Sequence, residues 1–282
     1  MKVNIILITY NHAEYIRRTL ESILMQKTVY DVEIIVADDS SPDNTVDIIK
    51  EYENQGSFSF TFLPKSVNLG YNLNYRRAFA ACTGNYVAIM EGDDYWVQSN
   101  HLQNHIDHLE KQYGASMSYN RHIRLFSDQN REEIFDWTSD NDYELVTTEQ
   151  LALGNRIGNL SCCVFRGDLI RNLDPNLFDM EIADWMLGMY MGQFGPLLYL
   201  KEVTTTYRIH DNGQWSRMDE KAQSKRIIEL INEYDKYFNY KYTKAFTKHK
   251  QRLEILLYGD KSFKGFIKSI TPEFIKKVYR KL

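Results

Sequence analysis

Residues 84–96 read GNYVAIMEGDDYW. A short apolar run, Tyr86-Val87-Ala88-Ile89-Met90, delivers an acidic cluster, Glu91-Gly92-Asp93-Asp94, and two aromatic residues follow. Carboxylates this close repel one another, and burial raises the cost of keeping them charged. Two readings fit. In one, a solvated acidic turn follows a strand. In the other, a divalent cation neutralises the cluster, and carboxylate oxygens suit Mg2+ or Mn2+ holding a nucleoside diphosphate.

Outward from this stretch, the first 95 residues repeat one unit. Residues 3–9, VNIILIT, are β-branched, apolar and short, the pattern of a parallel strand buried on both faces. Ile16, Leu20, Ile23 and Leu24 then recur at helical spacing over 13–26. A second apolar strand, 32–37, runs into the polar loop Asp38-Asp39-Ser40-Ser41-Pro42-Asp43-Asn44-Thr45, and a helix over 45–54 carries Val46, Ile49 and Tyr52. Phe58, Phe60 and Phe62 alternate as a third strand. The turn Asn68-Leu69-Gly70-Tyr71-Asn72 opens a helix that Gly84 ends. The resulting β-α-β-α-β-α-β order predicts a parallel sheet with right-handed crossovers. Ligands bind such sheets outside the carboxyl ends of the strands. Asp38, Asp39, Glu91, Asp93 and Asp94 all fall there.

Beyond Trp96 the pattern predicts a helix over 99–113 with Leu102, His105, Ile106 and Leu109 inward, then strand-like pieces at 115–126 and 134–137. Residues 127–148 read as polar and irregular, 159–165 as a strand, 181–194 as a helix and 197–207 as a strand ending in Tyr207-Arg208-Ile209-His210. From about 217 the chain is helical and rich in charge.

Composition narrows the function. The 282 residues are 43% hydrophobic and 26% charged, ordinary for a globular protein, and the net charge of −4 argues against nucleic acid as partner. Cys82, Cys162 and Cys163 form no CxxC pair or disulfide framework, which points to a reducing compartment. No signal-peptide pattern or spanning apolar run occurs, so a cytoplasmic protein is expected. Neither GxxxxGK[ST] nor a GxGxxG after the first strand is present, so no glycine-rich loop cradles phosphates.

Several side chains have the chemistry for catalysis. Asp184, at the start of a predicted helix and before Trp185, suits either an acid favourable to the helix dipole or a general base made less solvated by Trp185. His210 is either a structural histidine or a ligand. Arg208, Arg76 and Arg77 have the charge to pair with phosphate or with a carboxylate. Tyr10 and Tyr71 suit stacking on a base or a place on the rim, whereas His12, His101, His105 and His108 read as surface residues.

Taken in order, these stretches resemble the family 2 glycosyltransferases of the GT-A fold over about residues 2–215. Ile8-Thr9-Tyr10-Asn11 is similar to the family's opening nucleotide-binding strand, and Ala37 to Thr45 to its VDDGSxDxT motif. Asn68-Leu69-Gly70 is similar to its N-x-G turn, and Glu91-Gly92-Asp93-Asp94 to its DxD metal motif. Asp184 and His210 fall where the family places its catalytic base and a histidine near the metal.

The resemblance implies an α/β, Rossmann-like, mostly parallel sheet flanked by helices. It implies a catalytic domain over 1–216, with a nucleotide-binding half (1–98) and an acceptor-binding half (99–216). A helical extension over 217–282 follows. It further implies inverting transfer of one hexosyl or N-acetylhexosaminyl unit from a nucleotide sugar, UDP-linked by preference, to a glycan or lipid-linked acceptor, with Mn2+ or Mg2+. Thr9, Tyr10, Asn11, Asp39, Asn68, Gly70, Arg76 and Asp93 would bind the nucleotide, with Asp39 reading the base. Asp93, Asp94 and His210 would meet the metal, Arg208 the phosphates, and Asp184 would deprotonate the acceptor. Glu91 stands in place of the first Asp of DxD, so it is assigned to ribose or metal-bound water. Ile8 and Ser40 replace a common proline and glycine, and the processive QxxRW motif is absent, so single-sugar transfer is expected. A sugar-phosphate nucleotidyltransferase would carry a GxGxR-type loop where Tyr10-Asn11-His12 stands. A non-catalytic nucleotide-binding protein would have little use for Asp93, Asp94, Asp184 and His210 together.

The last 22 residues have their own character. Seven Lys/Arg, at 261, 264, 268, 276, 277, 280 and 281, face one acid, Glu273. Apolar residues interleave with them, which reads either as a membrane-surface helix pair broken near Pro272 or as helices packed on the catalytic domain.

Overall fold

The computed structural model describes residues 1–64, 67–136, 141–211, 213, 215 and 218–259. The chain divides into two compact units, Met1–Ser216 and Arg217–Leu282.

The first unit is built on strands β1 (Lys2–Thr9), β2 (Asp31–Asp38), β3 (Ser59–Phe62) and β4 (Tyr86–Glu91), with helices α1 (Ile16–Leu24), α2 (Thr45–Tyr52) and α3 (Tyr71–Ala81) between them. β1 pairs in parallel with β2 on one side and β4 on the other, and β3 adds beyond β2. A strand covered on both faces needs apolar side chains in both directions. Val3, Ile5, Ile6 and Leu7 are accordingly fully buried. α1 lays Ile16, Leu20 and Ile23 on the sheet, and α2 adds Ile48, Ile49 and Tyr52 to the same core. Truncating such a side chain, for example Ile5→Ala, is expected to cost about 2–5 kcal/mol.

One buried polar residue in β1 has a specific task. Asn4 accepts from the amides of Thr83 (2.8 Å) and Gly84 (2.6 Å) and donates to Glu33 (2.7 Å). It thereby fixes the turn that launches β4. A Cβ on Gly84 would lie 2.8 Å from Tyr86 O and 2.9 Å from Asn4 N, so only glycine fits.

The sheet continues through strands absent from the simple β-α repeat. β5 (Tyr95–Trp96) is followed by α4 (His101–Lys111) and β6 (Met117–Phe126). Then come β7 (Arg131–Phe135), β8 (Tyr143–Val146), α5 (Thr148–Ala152), β9 (Cys163–Arg166), α6 (Gly167–Arg171), α7 (Asp184–Met191) and β10 (Leu197–Ile209). The strand order is β3-β2-β1-β4-β9-β6-β10-β5, with β7 on β6 and β8 on β10. β1 to β4, β6 and β10 run one way; β9 sits between β4 and β6 in the opposite sense. The sheet is thus mostly parallel and flanked by helices, as expected.

Three expectations are corrected. Within 127–148, read as irregular, residues 131–135 and 143–146 form β7 and β8, which pair as antiparallel strands. Residues 159–165 are not one strand: Leu160–Cys162 form a 3-10 turn, and only then does β9 begin. His101 is fully buried rather than superficial, and His105 is buried too, as its inward place on the 99–113 helix implies and its reading as a surface residue does not. His101 Nδ1 lies 2.7 Å from Thr204 Oγ1, and His105 bonds Ser118 (2.8 Å) and Asn120 (3.2 Å), so burial is offset by hydrogen bonds.

The second unit contains α8 (Glu220–Tyr237), capped by Asp219 accepting from Ala222 N at 2.7 Å, and α9 (Thr243–Tyr258). Thr243 Oγ1 donates to Asp235 and Lys250 to Asn232, tying the pair together. Residues 261–282, where the basic amphipathic reading falls, lie outside the described residues. Among the described residues no helix is long and apolar enough to cross a membrane.

Candidate active site

Parallel pairing brings Thr9 level with Asp38 and Ile8 level with Glu91. β1 sends its next strand to one side and β4 lies on the other. The order therefore reverses at β1 and opens a crevice at the carboxyl ends.

On the β2 side, Asp39 is 5% exposed, and its two oxygens accept from the amides of Leu69 and Gly70, each at 2.8 Å. Asn68 Nδ2 donates back to Asp39 O at 3.1 Å. The Asp39 carboxylate thus holds the 68–70 turn. Gly70 has φ +80°, ψ 163°, a conformation that side chains with a Cβ resist. The loop after β1 is pinned in the same way: the amides of Asn11, His12 and Ala13 donate to Ser41, Thr45 and Asp43. Thr9 is buried and Tyr10 is 46% exposed at the rim. Arg76 is exposed, its guanidinium 5.8 Å from the Phe178 ring, and no hydrogen bond links it to the acidic cluster. Arg77 turns inward to the carbonyls of Asp38 and Pro64.

The acidic cluster divides its labour. Asp93 Oδ2 lies 3.0 Å from His210 Nε2 and 3.7 Å from His12 Nε2. Burial pushes the Asp93 carboxyl up, but the two imidazoles outweigh it and hold it below the usual range. Asp94 is 1% exposed and has its oxygens occupied: Oδ2 accepts from Ser161 Oγ (2.6 Å) and Asn159 Nδ2 (2.9 Å), Oδ1 from Arg208 N (2.9 Å). Burial and the neighbouring Asp93 charge push its carboxyl up to about 7. Glu91 accepts from Tyr75 OH (3.1 Å) and Asn159 (3.4 Å). Burial, then the charges of Asp94, Asp93 and Asp184, push it well up. Arg208 Nε donates to Asp93 O at 2.9 Å, and its guanidinium lies over the rings of Tyr15 (5.0 Å) and Tyr95 (5.5 Å).

Among the described residues no group of three or more His, Cys, Asp or Glu could hold a metal ion alone. The donor set still fits a hard divalent ion that keeps few protein ligands and completes its shell with diphosphate oxygens and water. Asp93, held deprotonated beside His210, is the group suited to it. Asp94, expected to meet the metal as well, already accepts three hydrogen bonds, from Ser161, Asn159 and Arg208 N.

Asp184 occupies the first turn of α7 and accepts from Asn155 Nδ2 at 2.8 Å. Burial raises its carboxyl; Asn155, the amides of Trp185 and Gly158, and the Arg124 charge oppose this. Trp185 itself is buried and donates to Leu151 O (2.8 Å). Asn72, in the first turn of α3, donates to Met180 O (2.5 Å) and accepts from Ile182 N (3.1 Å). The helix that follows the 68–70 turn thereby anchors the approach to Asp184.

Asp184 and the acidic cluster share one cleft. Tyr207 is pushed up by burial and then by the charges of Asp94, Glu91, Asp93 and Asp184, so all four carboxylates act on the same side chain. Sequence reading missed Tyr207, His12, Asn159 and Ser161. Tyr207 stands at the same strand end as Arg208 and His210. Asn159 and Ser161 were hidden by a strand assignment. The three cysteines are buried free thiols.

The β/α order, the mostly parallel sheet and the crevice at the strand ends define a GT-A class protein. The model of "Glycosyl transferase family 2" matches residues 4–173, and the chain belongs to that family. It is 29% identical over 248 residues to an uncharacterised glycosyltransferase of Nostoc sp., covering 83% of this chain and 74% of that protein. It is 23% identical over 254 residues to abequosyltransferase RfbV of Salmonella typhimurium, covering 86% and 76%. It spans about 60% of the length of the uncharacterised Mycobacterium proteins it matches, at 28% identity over 216 residues and 76% of this chain. In fold it is similar to S. aureus TarS 1–349 in complex with UDP-GlcNAc, with TM-score 0.64, 15% identity and coverage of 97% of this chain and 77% of TarS 1–349. It is also similar to a mannosyltransferase from Pyrobaculum calidifontis in complex with GDP-Man and Mn2+, with TM-score 0.61, 14% identity and coverage of 95% and 78%.

Proposed function

We propose that this chain is an inverting glycosyltransferase that moves one sugar from a nucleotide sugar to an acceptor hydroxyl. The observation that carries the proposal is Asp93 held between His210 and His12 at the carboxyl end of β4, with Asp184 presented by the first turn of α7 and both charges acting on Tyr207. One carboxylate is held charged by two histidines. The other is held in a partly buried site that makes it a better base than a free aspartate. Separate carboxylates for leaving group and nucleophile are what a single displacement needs, and no covalent sugar–enzyme intermediate is involved.

In this reading Thr9, Tyr10, Asn11, Asp39, Asn68, Gly70 and Arg76 bind the nucleotide. UDP is the preferred base, supported by the complex of TarS with UDP-GlcNAc; the GDP-Man complex of the other neighbour makes GDP the competitor. Asp93 with His210 would hold Mn2+ or Mg2+, which would supply positive charge for the departing diphosphate. Arg208 is placed beside Asp93 to meet the same phosphates. Asp94 holds the Asp93–Arg208 pair in place, Glu91 meets ribose, and Asp184 accepts the proton of the attacking hydroxyl.

The likeness to an abequosyltransferase supports an acceptor in cell-surface glycan or glycolipid synthesis. A lipid-linked acceptor would suit a cytoplasmic protein resting on the membrane surface through 261–282. Residues 1–216 would then form the catalytic domain and 217–282 the helical extension.

The test is turnover with a panel of UDP- and GDP-sugars in Mn2+, read as nucleotide released and glycoside formed. Asp184→Asn is expected to abolish transfer while UDP binding stays within about twofold, since it removes a transition-state role alone. Transfer by Asp184→Asn at the wild-type rate would overturn the base assignment. Binding without any turnover by the wild type would favour the non-catalytic reading.

A further inference from the structure

The arginines of the first unit are nearly all accounted for. Arg77, Arg166 and Arg208 donate to carbonyls, and Arg121 and Arg156 pair with Asp136 and Glu144. Arg124 is different. It lies on β6, half-buried, and its Nε is buried with no hydrogen-bond partner. Its guanidinium rests 4.0 Å from the centre of the Phe135 ring and meets no carboxylate among the described residues. The residue opposite it on β7, Glu133, pairs instead with Arg131.

Its position is informative. Arg124 is level with Tyr207 in the β6–β10 pairing, so the two share a face at the carboxyl ends of adjacent parallel strands. Arg124 and Asp184 are close enough for each charge to act on the other. Beside Arg124, His122 is fully buried with both ring nitrogens unpartnered, and burial, with the Arg124 charge, lowers it to about 3. It therefore stays neutral at pH 7 and leaves Arg124 as the cation of this wall. Gly158 faces the same place: a Cβ there would lie 2.7 Å from Phe135 and 3.1 Å from His122.

We propose that Arg124, on the Phe135 ring and beside Tyr207, is the anion-binding part of an acceptor subsite. The acceptor then carries a phosphate or carboxylate near the hydroxyl that receives the sugar. The inference rests on the transferase reading of the same cleft. Its physical basis is charge balance. The carboxylates of Asp93 and Asp184 repel anions from the cleft. Arg208 is committed to the Asp93 side, where the donor's diphosphate would lie. A planar guanidinium with free donors, fixed against a ring, is suited to a second phosphate or a carboxylate.

The test measures binding of three glycosides to the full chain saturated with UDP and Mn2+: methyl β-glucoside, methyl β-glucuronide and methyl β-glucoside 6-phosphate. The wild type is expected to bind at least one anionic glycoside about tenfold more tightly than the neutral one. Which one it prefers separates a carboxylate from a phosphate. Arg124→Gln should erase the preference and Arg124→Lys should retain part of it. Equal affinity for all three, binding of none, or a preference that survives Arg124→Gln overturns the inference. Affinity for UDP with Mn2+, measured on the same samples, keeps the two proposals apart. Its absence from the wild type faults the transferase reading, whereas intact donor binding with no charge preference faults only the anionic acceptor.

Discussion

Asp39→Asn separates two jobs of one carboxylate. In the wild type both oxygens accept a backbone amide at 2.8 Å, from Leu69 and Gly70, in a site 5% exposed. Hydrogen bonds to a charged group contribute about 1.5–3 kcal/mol each. Asparagine preserves size and one acceptor. It turns its NH2 toward the other amide, which loses its bond and becomes a buried unsatisfied donor. The net cost is expected to be about 3 kcal/mol. In a unit of this size that lowers the melting temperature by about 6–12 °C. Thermal melts followed by circular dichroism at pH 7 in EDTA read the stability effect, and UDP titration reads the binding effect. A melting temperature within about 2 °C of wild type, with UDP binding lost, would refute the turn-holding role. Asp39 would then serve the nucleotide alone.

Other expectations follow from the same geometry. Gly70→Ala meets no neighbour within 4 Å but must adopt φ +80°, so denaturant melts should show a loss of about 1–3 kcal/mol from backbone strain alone. Asp93→Asn removes the carboxylate beside His210, and Mn2+-dependent UDP binding, measured by calorimetry, should weaken by about tenfold or more, while Asp94→Asn should weaken it less. Transfer should fall on the acid side of its pH profile. Asp184 works deprotonated and its carboxyl is raised by burial, so full rate holds above its pKa and is lost as pH falls through it. The midpoint of that limb should lie above the value of an ordinary aspartate, and a rate flat down to pH 4 would contradict the assignment.

The parts of the fold legible in the sequence are those whose burial is two-sided. VNIILIT and YVAIM are apolar in both directions because helices cover both faces of the sheet, so β1 and β4 could be read directly. The antiparallel strands were not legible for the opposite reason. β7, REEIF, is exposed along nearly its whole length, and β8 buries only Val146. Their identity comes from partners on β6 and β10, not from their own pattern. The 159–165 run misled because Asn159 Oδ1 accepts from Ser161 N at 2.7 Å and turns the backbone before β9 can start.

The site follows the same logic. Asp93, Asp94, Asp184 and His210 are readable as candidates because acidic clusters at strand ends and acids at helix starts have chemical meaning in one dimension. The division of roles between Asp93 and Asp94 is set by Ser161, Asn159 and Arg208, which arrive from far along the chain. His12 looked superficial and instead sits 3.7 Å from Asp93, because the amides of its loop are pinned by Ser41, Asp43 and Thr45. His101 looked exposed because its partner, Thr204, lies on β10, whereas helical spacing already turned His105 inward toward Ser118 and Asn120 on β6.

The stereochemistry of transfer bears most directly on the central claim. With an α-linked nucleotide sugar as donor, proton NMR of the product should show a β-glycoside formed from the first turnover. A single displacement driven by Asp184 inverts the anomeric carbon. An α-glycoside formed from that α-linked donor would contradict the account.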